Sequence, residues 1–210
     1  MDNNRKLDRR VQRTHQLLSE ALLSLILEKS FEEITVQDII DKANIGRSTF
    51  YAHFTGKQDL LLSGLEGLRS LLTQTDQLTK AGKQSSQLLS FSYTMFEHAN
   101  GQRALWKAIV GRRIGNTVEY HLKKMFAELV YDDLVAELDK SSTPPAILTM
   151  TVEAIVGAFF SVLSWWLNND NKLTIDEIDT AFKSLVYPGI RDTLAISIPD
   201  MTRHNQKLPG

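Results

Sequence analysis

"TVQDIIDKANIGRSTFYAHF", residues Thr35 to Phe54, decides how this chain folds. Its first half places Val36, Ile39, Ile40 and Ala43 at the three-and-four spacing of one helix face. Thr35, with Asp38 three residues on, has the form of a capping box that uses Asp in place of Glu or Gln. At Asn44 the chain turns, because Asn tolerates a left-handed backbone that most residues resist. A further short helix then runs from about Gly46 to His53. On it Phe50 and Phe54 lie one turn apart and are assigned to the core, which leaves Arg47, Ser48 and Tyr51 facing out. Short helices joined by a tight turn are the helix-turn-helix arrangement. A recognition helix needs this division, since its N-terminal residues must reach base edges while its far side packs.

Upstream, Leu18, Leu22 and Leu25, flanked by Leu17, Ala21 and Ile26, mark one face of a first helix that ends in a break around Lys29–Phe31. Downstream, "TGKQ" (Thr55 to Gln58) offers another capping box and opens a longer helix with Leu61, Leu65, Leu68 and Leu72 on one side. Gly64 and Gly67 sit inside it, where each costs about 1 kcal/mol relative to alanine, and close packing against a neighbour is the expected reason. The polar "KAGKQSSQ" (Lys80 to Gln87) reads as a connection. Beyond it, helices are expected over Leu88–Ala99, Arg103–Gly111, Thr117–Asp139, Pro145–Leu167 and Ile175–Leu194, with Leu122, Met125, Phe126, Leu129 and Val130 inward on the third of these. Thr174 and Glu177 cap the last helix, and Pro188 marks a bend in it. The fold class is all-α. Residues 1–60 form a helix-turn-helix domain, and residues 61–210 a helical bundle for dimerisation and ligand binding.

Composition narrows the function. Net charge is −1, so a nucleic-acid surface has to be a local patch. Residues 1–15 supply one source, with Arg5, Lys6, Arg9, Arg10 and Arg13 against Asp2 and Asp8. This segment reads either as an arm reaching DNA or as a frayed terminus. The chain has no cysteine, which excludes disulfides, thiolate nucleophiles and cysteine-ligated zinc, and fits a reducing cytoplasm. His98 and His121 lack ligand spacing, so neither a metal nor a cofactor is expected. No nucleophile elbow, phosphate loop or marked carboxylate pair appears, and the chain does not read as an enzyme.

On the outward side of the recognition helix, Arg47 can pair bidentately with guanine, and Thr49 can offer a methyl to thymine. Tyr51, His53 and Lys57 suit phosphate contacts, Lys57 doubly so at a helix N-terminus that already attracts anions. The segment "ITVQDIIDKANIGRSTFYAHFTGKQDLL" (Ile34 to Leu61) closely resembles the DNA-binding domain of TetR-family regulators. The shared features are the threonine-capped second helix, the tight turn, the series Thr49, Phe50, Tyr51, His53, Phe54, and Lys57 at the start of the fourth helix. Asn44 replaces the turn glycine usual in that family. The glycine usual between the first two helices is absent from "EKSFEE" (Glu28 to Glu33). The resemblance implies an all-helical homodimer on double-stranded DNA, with a palindromic operator and often a small-molecule effector. Its expected DNA-binding set is Thr35, Arg47, Ser48, Thr49, Tyr51, His53 and Lys57.

The C-terminal part is less specific. Ala146 to Leu167, "AILTMTVEAIVGAFFSVLSWWL", is about long enough to cross a bilayer, but its Thr149, Thr151, Glu153, Ser161 and Ser164 favour a helix buried by protein. Adjacent Trp165 and Trp166 cannot both face one core, so this helix and Ile175–Leu194 are expected to pack against their copies. Val156, Phe159, Phe160, Leu163 and Leu185 are the expected interface. Phe91, Phe96, Trp106, Tyr120 and Phe126 are candidate walls for an apolar or aromatic effector, and Arg112 and Arg113 could orient an acidic one. The expected function is a ligand-responsive regulator, with repression the expected direction. The alternatives are control of the same DNA-binding chain by a protein partner, and a helical enzyme.

Overall fold

The computed structural model describes residues 2–80, 88–110, 116–138, 144–169 and 172–195. Nine α-helices run through them in chain order: α1 Asp2–Ile26, α2 Val36–Ala43, α3 Arg47–His53, α4 Lys57–Lys80, α5 Phe91–Gly101, α6 Arg103–Val110, α7 Asn116–Glu137, α8 Pro145–Asn168 and α9 Ile175–Leu194. A 3-10 turn, Phe31–Glu33, sits between α1 and α2. No strand occurs among the described residues. The chain divides into two compact units, Met1–Leu71 with Gln102–Met125, and Leu72–Gly101 with Phe126–Gly210. Against the expected division after residue 60, the first unit also takes in the start of α4, all of α6 and the start of α7. Hydrogen-bond reach accounts for part of this, since the Thr117 N–H meets Glu32 Oε1 at 3.4 Å and His121 Nε2 meets Gln58 Nε2 at 3.4 Å.

In the first unit α1 packs on α2, and α2 on α3. Leu18, Leu22, Leu25 and Ile26 from α1 are buried with Ile39 and Ile40 of α2 and with Phe50, Phe54, Leu60 and Leu61. Seven- and eight-residue helices are too short to persist alone, so this burial and their caps hold them. Thr35 caps α2 as read from the sequence: Thr35 Oγ1 accepts from the Asp38 N–H at 3.1 Å, and Asp38 Oδ2 accepts from the Thr35 N–H at 2.7 Å. Lys29 also donates to Asp38 Oδ2, and with Thr35 holds that carboxyl far below the usual carboxylate range. The box at α4 differs. Gly56 O accepts from the Leu60 N–H, and the carboxylate reaching back to the Thr55 N–H belongs to Asp59, at 2.9 Å, rather than to Gln58.

The second unit is centred on Phe159. Its ring lies 5.5 Å from Phe91, 5.3 Å from Phe96, 5.2 Å from Phe126 and 5.4 Å from Phe182, mostly in tilted or edge-on geometries that suit aromatic quadrupoles. The Trp166 ring packs edge-on against Phe96, and its Nε1 donates to Leu173 O at 3.2 Å, while Trp165 is 50% exposed. The adjacent tryptophans do part, as expected. The interface expectation needs correction, however. Val156, Phe159 and Leu163 are buried within their own unit, so they cannot also face a second copy. Phe160 is half-buried, and Leu185 is 70% exposed. By length and composition α8 could cross a membrane, yet Leu148, Val152, Ile155, Phe159, Leu163 and Trp166 form one buried face of it.

Polar groups hold the start of α5. The expected helix from Leu88 begins instead at Phe91, after a turn in which Leu89 is left-handed at φ 59. A leucine there costs about 1–2 kcal/mol, and Leu89 is fully buried, which offsets that cost by a similar amount. Asp133 Oδ2 accepts from the Leu89 N–H at 3.1 Å, and the Tyr187 hydroxyl donates to Leu88 O at 2.5 Å. Burial, with Asp179 and Asp133 nearby, pushes the Tyr187 phenol up. Ser92 Oγ meets Leu89 O and Asp179 Oδ1, and Asp179 Oδ2 takes the buried Lys183 ammonium at 2.8 Å. That ammonium is therefore paired, as a buried charge must be. Residues 81–87, Arg112, Arg113 and residues 141–143 fall outside the described residues, and so do the connections read there.

Gly64 and Gly67 do not serve close packing. Both are exposed, and a Cβ added at either meets nothing within 4 Å. Each therefore only weakens α4, and Gly64→Ala or Gly67→Ala should raise stability by about 0.5–1 kcal/mol in urea unfolding. A loss of stability in both variants would mean that each position meets something not seen in this structure.

Candidate nucleic-acid interface

The turn between α2 and α3 is built on Asn44, at φ 52 and ψ 47. The Ile45 N–H reaches Ile40 O at 2.9 Å and the Asn44 N–H reaches Asp41 O at 3.2 Å, the paired closure of a Schellman motif. Gly46 then caps α3, its carbonyl accepting from the Phe50 N–H at 3.1 Å. Phe50 and Phe54 are buried, and their rings lie 6.0 Å apart. Arg47, Ser48, Thr49 and Tyr51 are exposed, Tyr51 at 52%. Four of the expected contact residues thus share the outward side of one helix, available to a groove.

The remaining three are placed differently. Thr35 is exposed, but its hydroxyl donates to Asp38 Oδ2 at 2.8 Å and accepts from the Asp38 N–H, so it is committed to its own cap. His53 is half-buried, with its ring edge-on to His15 of α1 at 5.0 Å. Burial first, and the charge on His53 second, hold His15 below its ordinary value of 6.5. Lys57 departs most from expectation. Its ammonium donates to Phe31 O at 2.8 Å, Glu32 O at 2.9 Å and Ile34 O at 2.6 Å, and lies 4.8 Å from the Phe31 ring centre. An ammonium has three protons, and here all three meet carbonyls. Lys57 therefore ties the start of α4 to the 3-10 turn instead of standing free for phosphate. The spacing gave no sign of this, because the three carbonyls lie 23 to 26 residues upstream.

Sequence reasoning also passed over Gln37, on the first turn of α2. Gln37 Oε1 accepts from Arg47 Nη2 at 2.7 Å, and Gln37 Nε2 donates to Asp41 Oδ1 at 2.7 Å. The N-terminal bases lie on a helix that begins at Asp2, and Arg9, Arg10 and Arg13 are exposed on it.

The candidate effector walls do not form one set. Phe91, Phe96 and Phe126 are buried in the second unit's ring cluster. Trp106 is buried in the first unit, and Tyr120, also there, is 61% exposed beside His121. No group of three or more His, Asp or Glu that could hold a metal occurs among the described residues.

Residues 18–63 match the family described as bacterial regulatory proteins, tetR family, and residues 86–187 match a transcriptional regulator C-terminal region. The chain belongs to the tetR family. Members of this family are DNA-binding transcription factors and not enzymes. The chain is 40% identical over 81 residues to the HTH-type transcriptional regulator YxbF of Bacillus subtilis (strain 168), a match spanning 38% of this chain and 21% of YxbF. A TetR transcriptional regulator from Streptococcus agalactiae 2603V is 25% identical and aligns over 87% of this chain and 98% of its own, with a TM-score of 0.61. A TetR-family regulator from Syntrophomonas wolfei shares the fold at a TM-score of 0.66, 16% identity, and 90% and 99% coverage.

In this tetR-family domain the Lys57 geometry makes a distinct prediction. Lys57→Met keeps the stem and removes three charge-assisted hydrogen bonds, so stability should fall by about 1–3 kcal/mol. The salt dependence of DNA binding should stay as in the unaltered protein. A salt slope flattened by about 1 per protomer would instead place the ammonium on a phosphate.

Proposed function

We propose that this chain is a cytoplasmic, dimeric transcription regulator, a repressor that reads a palindromic operator with α3 and releases it when an apolar or aromatic small molecule binds its second unit. The observation that carries the reading is α3 itself, which exposes Arg47, Ser48, Thr49 and Tyr51 while burying Phe50 and Phe54. Arg47 is the first residue of that helix and Tyr51 lies one turn on; on this reading Arg47 pairs with a guanine edge and Tyr51 meets a phosphate. Arg9, Arg10 and Arg13 add attraction to the backbone that does not depend on sequence.

Selection of bound duplexes from a random pool tests this directly. Arg47→Ala should weaken binding to the selected duplex by about ten- to a hundredfold, the worth of one bidentate base contact, and leave random duplex nearly unaffected. An unchanged selected sequence would remove α3 as the reader.

A palindrome calls for two α3 helices about 34–36 Å apart, and hence for a two-fold dimer. With Val156, Phe159 and Leu163 buried inward, the face of α8 left for a partner is Met150, Ala154, Gly157, Ser161 and Trp165, joined by exposed Leu185 of α9. Small residues at its centre let helices approach closely. Ala154→Arg should yield folded monomers in sedimentation and abolish operator binding. A wild-type monomer at micromolar concentration would sink the dimer.

The effector reading rests on the rings around Phe159. An apolar ligand parting them would shift helices of the second unit, and α4 belongs to both units. To convert a mostly bound population into a mostly free one, it must favour the non-binding state by about 10⁴-fold, or about 5.5 kcal/mol. Burial of a few hundred square ångströms supplies that at about 25 cal/mol per Å². With Trp106 and Trp165 replaced by phenylalanine, emission from Trp166 against Phe96 should change in step with operator release. Operator must weaken the effector's affinity by the same factor. If no metabolite fraction releases the selected duplex, control passes to a protein partner.

A further inference from the structure

We propose that Gln37 of α2 is a positioning residue for base reading: it sets the plane of the Arg47 guanidinium and thereby the sequence preference of α3. This inference rests on the reading of Arg47 as a base contact. Three side chains form a polarised line on the protein's surface. Asp41 Oδ1 accepts from Gln37 Nε2 at 2.7 Å, and Gln37 Oε1 accepts from Arg47 Nη2 at 2.7 Å. The carboxylate can only accept, so it determines which way the Gln37 amide turns: nitrogen toward Asp41, oxygen toward Arg47. The oxygen in turn takes one of the five N–H groups of a rigid planar fork. The rest of the fork stays available for the O6 and N7 acceptors of guanine.

The surrounding backbone makes this line a fixed support. Gln37 lies in the first turn of α2, between Thr35 and Asp38, whose reciprocal bonds pin that turn. Arg47 is the first residue of α3, placed by the left-handed Asn44 turn. The bond therefore spans the capped start of α2 and the first turn of α3, and not two loose loops. All three residues are exposed, so the line adds little to folding stability. What it changes is orientational freedom. A long arginine on a surface samples many rotamers, and a bidentate contact accepts few of them.

The test uses the full-length chain and duplexes selected from a random pool by the unaltered protein. Gln37→Met keeps the stem and removes both amide bonds. It should leave the fold unchanged by circular dichroism and random-duplex affinity nearly unchanged. At the base pair where Arg47→Ala abolishes guanine preference, Gln37→Met should cut that preference by about three- to tenfold. Asp41→Ala should do so more weakly. The double variant Gln37→Met/Arg47→Ala should be no worse than Arg47→Ala alone, the non-additivity expected of residues acting through one contact. The proposal is overturned if Gln37→Met leaves that preference intact while Arg47→Ala abolishes it. It is also overturned if the two effects add and fall on different base pairs, which would make Gln37 an independent reader. An Arg47→Ala protein with an unchanged selected sequence would overturn both this inference and the base-reading assignment beneath it.

Discussion

The left-handed backbone at Asn44 is the constraint on which the DNA-facing unit depends. A reversal of this kind costs most L-residues about 1–2 kcal/mol, and less for Asn, whose short polar side chain can bond locally. It closes α2 through Ile40 O and Asp41 O and restarts the chain at Gly46 in an extended conformation. From there α3 returns Phe50 and Phe54 onto the core and brings Arg47 beside Gln37. The other end of α2 is held equally firmly by Thr35 and Asp38. An eight-residue helix has no stability of its own to contribute. The rigidity of the surface proposed to read DNA therefore comes from the caps of α2 and its buried isoleucines.

What could be read from the sequence was what local chemistry determines. The boxes at Thr35 and Thr174, the turn at Asn44 and the inward pair Phe50 and Phe54 need only residues three or four apart, and all are present. At α4 the signal was shifted by one residue. Gly56 became the cap, which put Asp59 rather than Gln58 on the third helical position, where a side chain can reach back. Lys57 and Gln37 were illegible for another reason. The partners of Lys57 lie on a turn more than twenty residues away, and the partner of Gln37 lies across a helix crossing. Neither distance is encoded in spacing.

The second unit shows where patterning fails outright. Both sides of α8 are made largely of apolar or small residues, so composition could not tell Phe159, ringed by other aromatics, from Met150 and Trp165, which face out. Only the positions of α5, α7 and α9 decide that. The start of α5 is a sharper case. A buried leucine in a left-handed turn goes against local preference, and it persists because Asp133, Tyr187 and Ser92 bind the backbone around it. Lys183 and Asp179 stand four residues apart on α9, a spacing common to solvated surface pairs, yet both are buried. Here tertiary context overrides every local cue.

Charge in this chain bears on how it would find its site. With a net charge of −1, the molecule as a whole does not attract DNA, and several of its lysines are already engaged. Lys57 meets three carbonyls, Lys29 meets Asp38, Lys42 meets Glu28, and Lys183 is buried with Asp179. Non-specific affinity scales with the number of phosphates neutralised, so that background falls to local bases such as the exposed Arg9, Arg10 and Arg13 of α1. Under the proposed reading, specific affinity comes from base contacts and from pairing two half-sites, since a second α3 on the same duplex adds its contacts without a second encounter. Specificity is the ratio of these two affinities. On that reading a single well-held guanidinium in a chain of net charge −1 counts for more than it would in a strongly basic one, where sequence-independent binding dilutes its effect. The same balance makes the aim of Arg47 consequential under the proposed reading: attraction to the backbone acts alike on every duplex, so it cannot restore a preference lost when the reader samples the wrong rotamers.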